Sequence, residues 1–400
     1  MRQHIAFPII ALIACLLFSQ CEKYQSIGIK DYNFLDALIE LGYDSDGDGE
    51  ISHLEAEAIR SLDVSYMNIS DMSGINEIVN LNRLSCGENQ LSSLDLSNLE
   101  LLIYLDCGWN QLTDLKISNN APLKTLYCHY NQLTSLNISE NAALVVLECG
   151  NNKLTTLDLR NNCNLESLWC YGNQLTSLDI SENASLVELE CSHNKLNELE
   201  ISDNPYLATV RCQNNQLTRL SVTNNNSLVS LSCSNNQLER LEVSQNANLR
   251  DLYCDQNRLT LLDLSKMKKL RSLSCADNQL TYLDCSNNTS LEYLSCGSNQ
   301  LSSLDLSNNQ MLRELNCNDN LLSGIDISAC DALVFLHCDE NQFENLDISN
   351  NSDLHNISVS EMPTLEKVCV WTLPFPPEGV ELSMWDSPNV YFTIDCNMIE

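Results

Sequence analysis

The chain has 400 residues, 44% of them hydrophobic, and a formal net charge of −33 from 21 Lys and Arg against 54 Asp and Glu. Such a surface disfavours nucleic acid, anionic lipid and sulfated glycans as partners. Only six histidines are present, no phosphate-binding loop appears, and no nucleophile stands on a recognisable turn, so the chain is not expected to be an enzyme.

The N-terminus reads MRQHIAFPIIALIACLLFSQCEKYQ, with one Arg and then an apolar run of about 14 residues. That run is too short for a stable membrane span and predicts a secretory signal over residues 1–20. A cysteine at its end points to a bacterial lipoprotein, and two cysteines compete. LIAC (Leu12–Cys15) fits the usual cleavage pattern but leaves Leu16, Leu17 and Phe18 at the mature start. Cys21 stands where polarity begins, although Gln20 departs from the small residue expected before the cut. We take Cys21 as the lipidated residue, with 21–30 a tether. Removing residues 1–20 deletes only Arg2, so the mature charge moves from −33 to −34. The expectation is an outer-membrane lipoprotein on a bacterial cell surface, touching membrane only through its anchor, with simple secretion as the alternative.

Residues 31–61 carry a cation-loop pattern. Asp44, Asp46 and Asp48 occupy positions 1, 3 and 5 of a twelve-residue EF-hand loop, and Gly49 holds position 6. Glu50 would offer its backbone carbonyl, Ser52 fills position 9, and Glu55 at position 12 would be the bidentate carboxylate. Hard oxygens at this spacing suit a structural Ca²⁺. Ile51 points inward, and Phe34, Leu35, Leu38 and Ile39 give the helical spacing of an entering helix. No second loop exists to pair with this one, so something else must bury Ile51.

From residue 62 the chain repeats. Cysteines fall every 21 residues from Cys86 to Cys338, and an Asn follows each one three residues later, Asn89 to Asn341. The unit reads L-x-x-L-x-C-x-x-N-x-L-x-x-L-D-L-S-x-N-x-x. Each coil gives one short strand, x-L-x-C-x, and neighbouring coils pair these into a parallel sheet. The Asn can bond the backbone of each tight turn. The LDLS segment lies opposite and can form a second, shorter ladder, leaving no room for a helix.

This unit resembles the leucine-rich repeat, with Cys where Leu is usual. LDVSYMNISDMSGINEIVNL (Leu62–Leu81) is similar to the first repeat of the internalin family, and the 21-residue cysteine ladder to its internalin J subgroup. The resemblance covers residues 31–360. It implies an α/β-type repeat fold: a leucine-rich-repeat solenoid over 62–359 with a concave parallel sheet, a small helical EF-hand-like cap over 31–61, and an irregular or β cap over 360–400. It also implies that the cap closes the open end of the core and serves as packing partner for the single loop.

Ladder thiols one coil apart sit side by side at about 4.8 Å, a poor geometry for disulfides, and no CxxC suggests zinc. They are expected to be buried, reduced filler. Cys163, Cys285, Cys330, Cys369 and Cys396 fall off the ladder, and Cys369 could pair with Cys396. A back column of Asp95, Asp158, Asp179, Asp263, Asp284, Asp305, Asp326 and Asp347 reads as a solvated face.

Function should lie where the repeat varies. The outward strand positions give Tyr104, Asp106, Tyr127, His129, Glu148, Trp169 and Tyr171, with Trp109 and Tyr130 at strand ends. Elsewhere the face is mostly Ser, Asn and acid. These nine residues are the candidate ligand site, imagined as a trough whose aromatic walls stand either side of Gly150. The family resemblance implies a cell-surface binding protein holding a protein ligand on the concave face, for adhesion or partner interaction. The alternative is a glycan-binding lipoprotein for nutrient capture, with a neutral sugar resting on Trp169 and Tyr127. The expected partner is thus an extracellular protein or a neutral glycan.

Overall fold

A Leu between two outward residues has the period-two pattern of a strand, and coil after coil uses it so. The computed structural model of the chain describes residues 24–396, and the chain divides into two compact units, Met1–Leu175 and Thr176–Glu400. Cys15 and Cys21 lie outside the described residues. No helix among these is long and apolar enough to cross a membrane.

The first unit begins with helix α1 (Tyr32–Glu40) and the short α2 (His53–Ala56), followed by β1 (Ser61–Asp63), β2 (Arg83–Ser85), β3 (Ser93–Leu96), β4 (Tyr104–Asp106), β5 (Asp114–Ile117), β6 (Thr125–Tyr127), β7 (Val146–Glu148) and β8 (Ser167–Trp169). A parallel sheet runs β1-β2-β4-β6-β7-β8, in which Leu84, Leu105, Leu126, Leu147 and Leu168 face one another in register. β3 and β5 pair on the opposite side, which is the second ladder expected from the LDLS segments.

In the second unit one strand per coil, from β9 (Glu188–Glu190) to β16 (Phe335–His337), extends a parallel sheet of the same kind. β17 (Asn345–Asp347), β19 (Lys367–Cys369) and β21 (Tyr391–Thr393) form the opposite ladder, while β18 (Asn356–Ser358) and β20 (Glu381–Ser383) continue the main one. The C-terminal segment therefore keeps both ladders going, and Cys369 is bonded to Cys396 at its end.

The core is the stack of inward leucines and the thirteen ladder cysteines, all buried and unpaired with one another. Burial raises ladder thiols such as Cys107, Cys149, Cys233 and Cys254 well above the usual range, and Cys212 and Cys317 reach about 12. Cys285 and Cys330 are buried too, because they replace a Leu and an Asn of the repeat, and Cys163 alone among the described free cysteines is exposed.

The Asn after each Cys joins two coils. Asn131 donates to the carbonyls of Cys107 (3.0 Å) and Cys128 (3.2 Å), and its Oδ1 accepts from Leu112 N–H at 2.8 Å. A second Asn column, to which the sequence reading assigned no role, does part of the same work. Asn225 donates to the carbonyls of Ile201 (2.8 Å) and Asn204 (2.9 Å), yet its buried Oδ1 has no partner. The same oxygen is orphaned in Asn204, Asn246, Asn288, Asn309 and Asn351, and Met267 stands in this column without disturbing the turn, its N–H bonding Leu264 at 3.0 Å. The acidic back column is more than a solvated face: Asp263, Asp284, Asp305, Asp326 and Asp347 each accept the N–H of the Ser two residues on. Their short bonds shape the turns.

At the N-terminal end Asp31 caps α1, accepting from Asn33 (2.8 Å) and Phe34 (3.2 Å) through one oxygen. Its other oxygen accepts from Ser70 N–H, Ser70 Oγ and Asp71 N–H of the first coil. One carboxylate thus locks the cap to the solenoid.

Two outcomes follow from this bonding. Asn236→Met should cost about 2–4 kcal/mol in urea unfolding, because it strands the Leu217 N–H and the Cys212 and Cys233 carbonyls. Asn225→Met should cost clearly less, since that amide already leaves its oxygen unmet; equal costs would refute the difference in roles. In native alkylation followed by mass mapping, Cys163 should label and the ladder should not until denaturant is added.

Candidate functional site

Strand alternation places Tyr104 and Asp106 either side of buried Leu105, and Thr125 and Tyr127 either side of Leu126. Register sets Asp106 beside Tyr127, Tyr127 beside Glu148 and Glu148 beside Trp169. Rings from successive coils then meet. Tyr104 and Tyr127 touch edge-on at 5.8 Å, Tyr127 and His129 at 6.4 Å, and His129 lies edge-on to Trp109 at 6.5 Å and to Tyr130 at 5.9 Å. Trp109 and Tyr130 stack face to face at 3.7 Å, inclined by 13°. Arg83, which the sequence reading passed over, lays its guanidinium 3.5 Å above the Tyr104 ring.

Polar groups are threaded through the rings. His129 Nδ1 lies 3.8 Å from Glu148 Oε1, beyond hydrogen-bond reach, and this buried nitrogen has no partner. Tyr171 donates to the same Glu148 oxygen at 3.3 Å. Asp106 accepts from Gly108 N–H at 3.1 Å. Burial, then the neighbouring carboxylates Asp106 and Glu148, push the Tyr104 and Tyr127 hydroxyls above the usual tyrosine range, so both remain donors. An orphaned nitrogen beside a carboxylate and two tyrosine hydroxyls can take a ligand that both donates and accepts hydrogen bonds.

The expected trough is not there. A Cβ on Gly150 would come within 2.5 Å of the Tyr171 ring, so that ring covers the glycine instead of facing Tyr127 across it. Gly108 is occupied in the same way, its would-be Cβ 2.6 Å from the His129 ring. Each glycine is a seat for the aromatic one coil later. Trp169 is half-buried, and no ring contact joins it to the others. The nine predicted residues therefore divide into a continuous cluster (Tyr104, Asp106, Trp109, Tyr127, His129, Tyr130, Glu148, with Tyr171 attached through Glu148) and an outlying Trp169.

Trp109 and Tyr130 carry a further mark. Their φ values are +54° and +50°, the left-handed region that the turn before each Asn demands. Asn151, Gly172, Asn214 and Asn235 hold this position in other coils at little cost. For a bulky side chain it costs about 1–2 kcal/mol.

In the cap loop, oxygens of Asp44, Asp46 and Asp48 lie within 4.8 Å of one another, a convergence of hard donors that fits a divalent cation. Asp44 also accepts from Gly47 (2.7 Å) and Gly49 (3.0 Å), and Asp48 from Glu50 N–H at 2.8 Å. Glu55 is not part of that convergence. Its carboxylate accepts from Ser45 N–H (2.6 Å), Ser45 Oγ, Ser52 N–H and Ser52 Oγ (each 2.9 Å), making a capping box on α2. Burial works to raise Glu55, but these bonds overcome it and hold the carboxyl at about 2. Ile51 is fully buried, as expected. The missing twin loop is replaced locally: Ile27 N–H bonds Ile51 (2.9 Å) and His53 N–H bonds Gln25 (3.0 Å), so part of the expected tether joins the cap through an isolated antiparallel bridge, Ser26 to Ser52.

No family model matches the chain, and no curated protein matches it. Solved structures do. The functional domain of InlJ from Listeria monocytogenes, which includes a cysteine ladder, is 32% identical over 85% of this chain and 74% of that one, with a TM-score of 0.80. The internalin InlF of Listeria monocytogenes is 21% identical over 82% and 94% (TM-score 0.66), and a leucine-rich-repeat protein of Leptospira interrogans 22% identical over 85% and 93% (TM-score 0.66). At their identity these last two share the fold alone.

Gly150→Ala should destabilise the first unit by about 1–3 kcal/mol by forcing Tyr171 off its seat. An unchanged urea midpoint would mean that the ring moves aside freely.

Proposed function

The chain belongs to the internalin family of leucine-rich-repeat proteins, and from that premise we propose that it is a cell-surface binding protein holding an extracellular protein against the outward face of the first unit's strand ladder. The observation that carries this reading is the ring cluster around His129, opened to solvent at Trp109 and Tyr130, whereas outward positions of other coils are mostly Ser, Asn and acid with Tyr253, Tyr293 and Phe335 scattered. Aromatic side chains with satisfied and unsatisfied polar atoms between them are the usual anchors of protein contacts. Repeat proteins of this fold bind along such ladders, which favours partner binding over catalysis. Attachment to the outer membrane through an acylated Cys21 belongs to the same proposal.

The cap's role in it is structural. Asp44, Asp46 and Asp48 would hold Ca²⁺, with the Glu50 carbonyl and Ser52 completing the oxygen set and Glu55 bracing the loop or turning to join it. An ion bound only by the folded loop stabilises it, which would keep the end of the solenoid closed.

Tyr127→Ala and His129→Ala should each weaken a partner recovered by surface pull-down by about 2 kcal/mol or more, measured by surface plasmon resonance. Tyr293→Ala and Phe335→Ala, in the second unit, should leave it unchanged. A ligand found instead on a glycan array, and lost in the same variants, would replace protein by sugar. For the cap, chelator should lower the melting temperature of the wild type and of Glu55→Gln alike. If chelator has no effect on either, the aspartates hold no ion; if only the wild type responds, Glu55 is itself a ligand.

A further inference from the structure

The left-handed position before each Asn forms a row of its own. Its backbone N–H groups bond one coil onward: Tyr66 to Gly87 (3.1 Å), Glu88 to Gly108 (3.0 Å), Trp109 to His129 (2.9 Å) and Tyr130 to Gly150 (2.9 Å). Tyr66 (φ +62°) and Glu88 (φ +53°) therefore precede Trp109 and Tyr130 in one line, one coil apart, at about 4.8 Å per coil. In later coils the same position holds Asn151, Gly172, His193, Asn214, Asn235, Gln256, Asp277, Ser298, Asp319, Glu340 and Glu361, none of them aromatic apart from the imidazole of His193.

Three of the first four members are aromatic, in the backbone conformation least suited to them. They are also open to solvent, with Tyr66 70%, Trp109 50% and Tyr130 39% exposed. Trp109 and Tyr130 pack on each other, but rings this exposed add little to the core. Strain held at an exposed aromatic row is the mark of a surface kept for contact. The fourth member is a carboxylate. Glu88 is exposed and sits on the coil between Tyr66 and Trp109. The neighbouring Glu88 carboxylate raises the Tyr66 hydroxyl above the usual tyrosine range, which keeps that hydroxyl protonated beside the acid.

We propose that the row Tyr66, Glu88, Trp109 and Tyr130 receives a cationic side chain, a Lys or Arg presented by a partner protein. The ammonium or guanidinium group lies against the aromatic faces with its charge on Glu88. Two observations single out this occupant. The chain's net charge of −33 favours the approach of a basic segment. On the same side of the unit the protein already holds a cation over a ring in this manner, Arg83 over Tyr104. A neutral sugar would use the rings but gain no charge pairing from the Glu88 carboxylate placed between them in the row. The proposal rests on reading this face as a protein-binding surface, and it names the chemistry recognised at one end of it.

The test measures binding of a hexalysine peptide and its fully Nε-acetylated form to the purified chain, by calorimetry at fixed ionic strength, with maltohexaose as the neutral probe. Trp109→Asn is the main variant, because Asn occupies the same left-handed position at 151, 214 and 235 and the coil keeps its turn. Trp109→Asn and Glu88→Gln should each weaken hexalysine by about fivefold or more, and acetylation should do at least as much. Asp277→Asn, in the same row but away from the rings, should change it less than twofold. Equal losses from Asp277→Asn and Glu88→Gln would show diffuse attraction to the acidic surface and overturn the proposal. So would equal binding of the acetylated peptide, or maltohexaose binding that depends on Trp109 while hexalysine binding does not. A partner recovered through Tyr127 and His129 but indifferent to Trp109→Asn would sink the row and leave the protein-binding reading intact.

Discussion

Everything in the structure depends on one side chain repeated once per coil. The Asn after each cysteine closes a turn that no backbone pairing could close, because the chain must reverse within two residues of the strand. Its amide gives two protons to carbonyls on two coils and takes one from a third segment, as Asn131 does with Cys107, Cys128 and Leu112. Each buried backbone group would otherwise cost about 1–3 kcal/mol. Because the bond reaches the coil before, it also fixes the offset between coils. A strict 21-residue register is the consequence, and the inward thiols follow it: a position that is always interior, always near the turn and always small suits Cys.

That constraint leaves a residue with positive φ before every Asn. The fold does not require glycine there, and uses it in the repeat only at Gly172. The price of a bulky residue is local, so individual coils can accept one without affecting the stack. This is why variation concentrates there and on the outward strand positions. The core columns have no freedom, whereas Trp109, Tyr130 and the residues around His129 can differ from coil to coil. Where His129 and Tyr171 face outward, the preceding coil carries glycine to seat them, so the site spans coils in pairs.

Much of this was legible in the sequence. The 21-residue period gives the coil, the strand and the inward Cys, and the Asn spacing gives the turn, because both are statements about recurrence. What the period could not give is conformation. Trp109 and Tyr130 looked like uncertain strand-end residues; only their φ values reveal that they share a strained position with Tyr66, which the irregular first repeat shifts out of the 21-residue count. Gly150 looked like an open floor because sequence shows a missing side chain, not the neighbour that fills its place. Arg83 was overlooked because its ring partner lies one coil away. The unbonded Oδ1 atoms of the second Asn column are equally invisible: an Asn at a turn reads the same whether it makes two bonds or three.

The cap shows the same logic from the other side. An EF-hand loop pattern encodes ligand types, yet its last carboxylate can serve two masters. Glu55 accepts four hydrogen bonds from Ser45 and Ser52, which already tie the start of the loop to the helix that follows it. Among the described residues no Lys or Arg side chain pairs with Asp44, Asp46 or Asp48; what they accept are N–H groups of their own loop. Three like charges held within 4.8 Å are unfavourable alone and favourable around a divalent ion. The loop is therefore braced by the hydrogen bonds of Glu55, while the three aspartates leave a place that fits a divalent cation. Asp31, whose single carboxylate bonds both α1 and the first coil, ties the cap that carries this loop to the solenoid end.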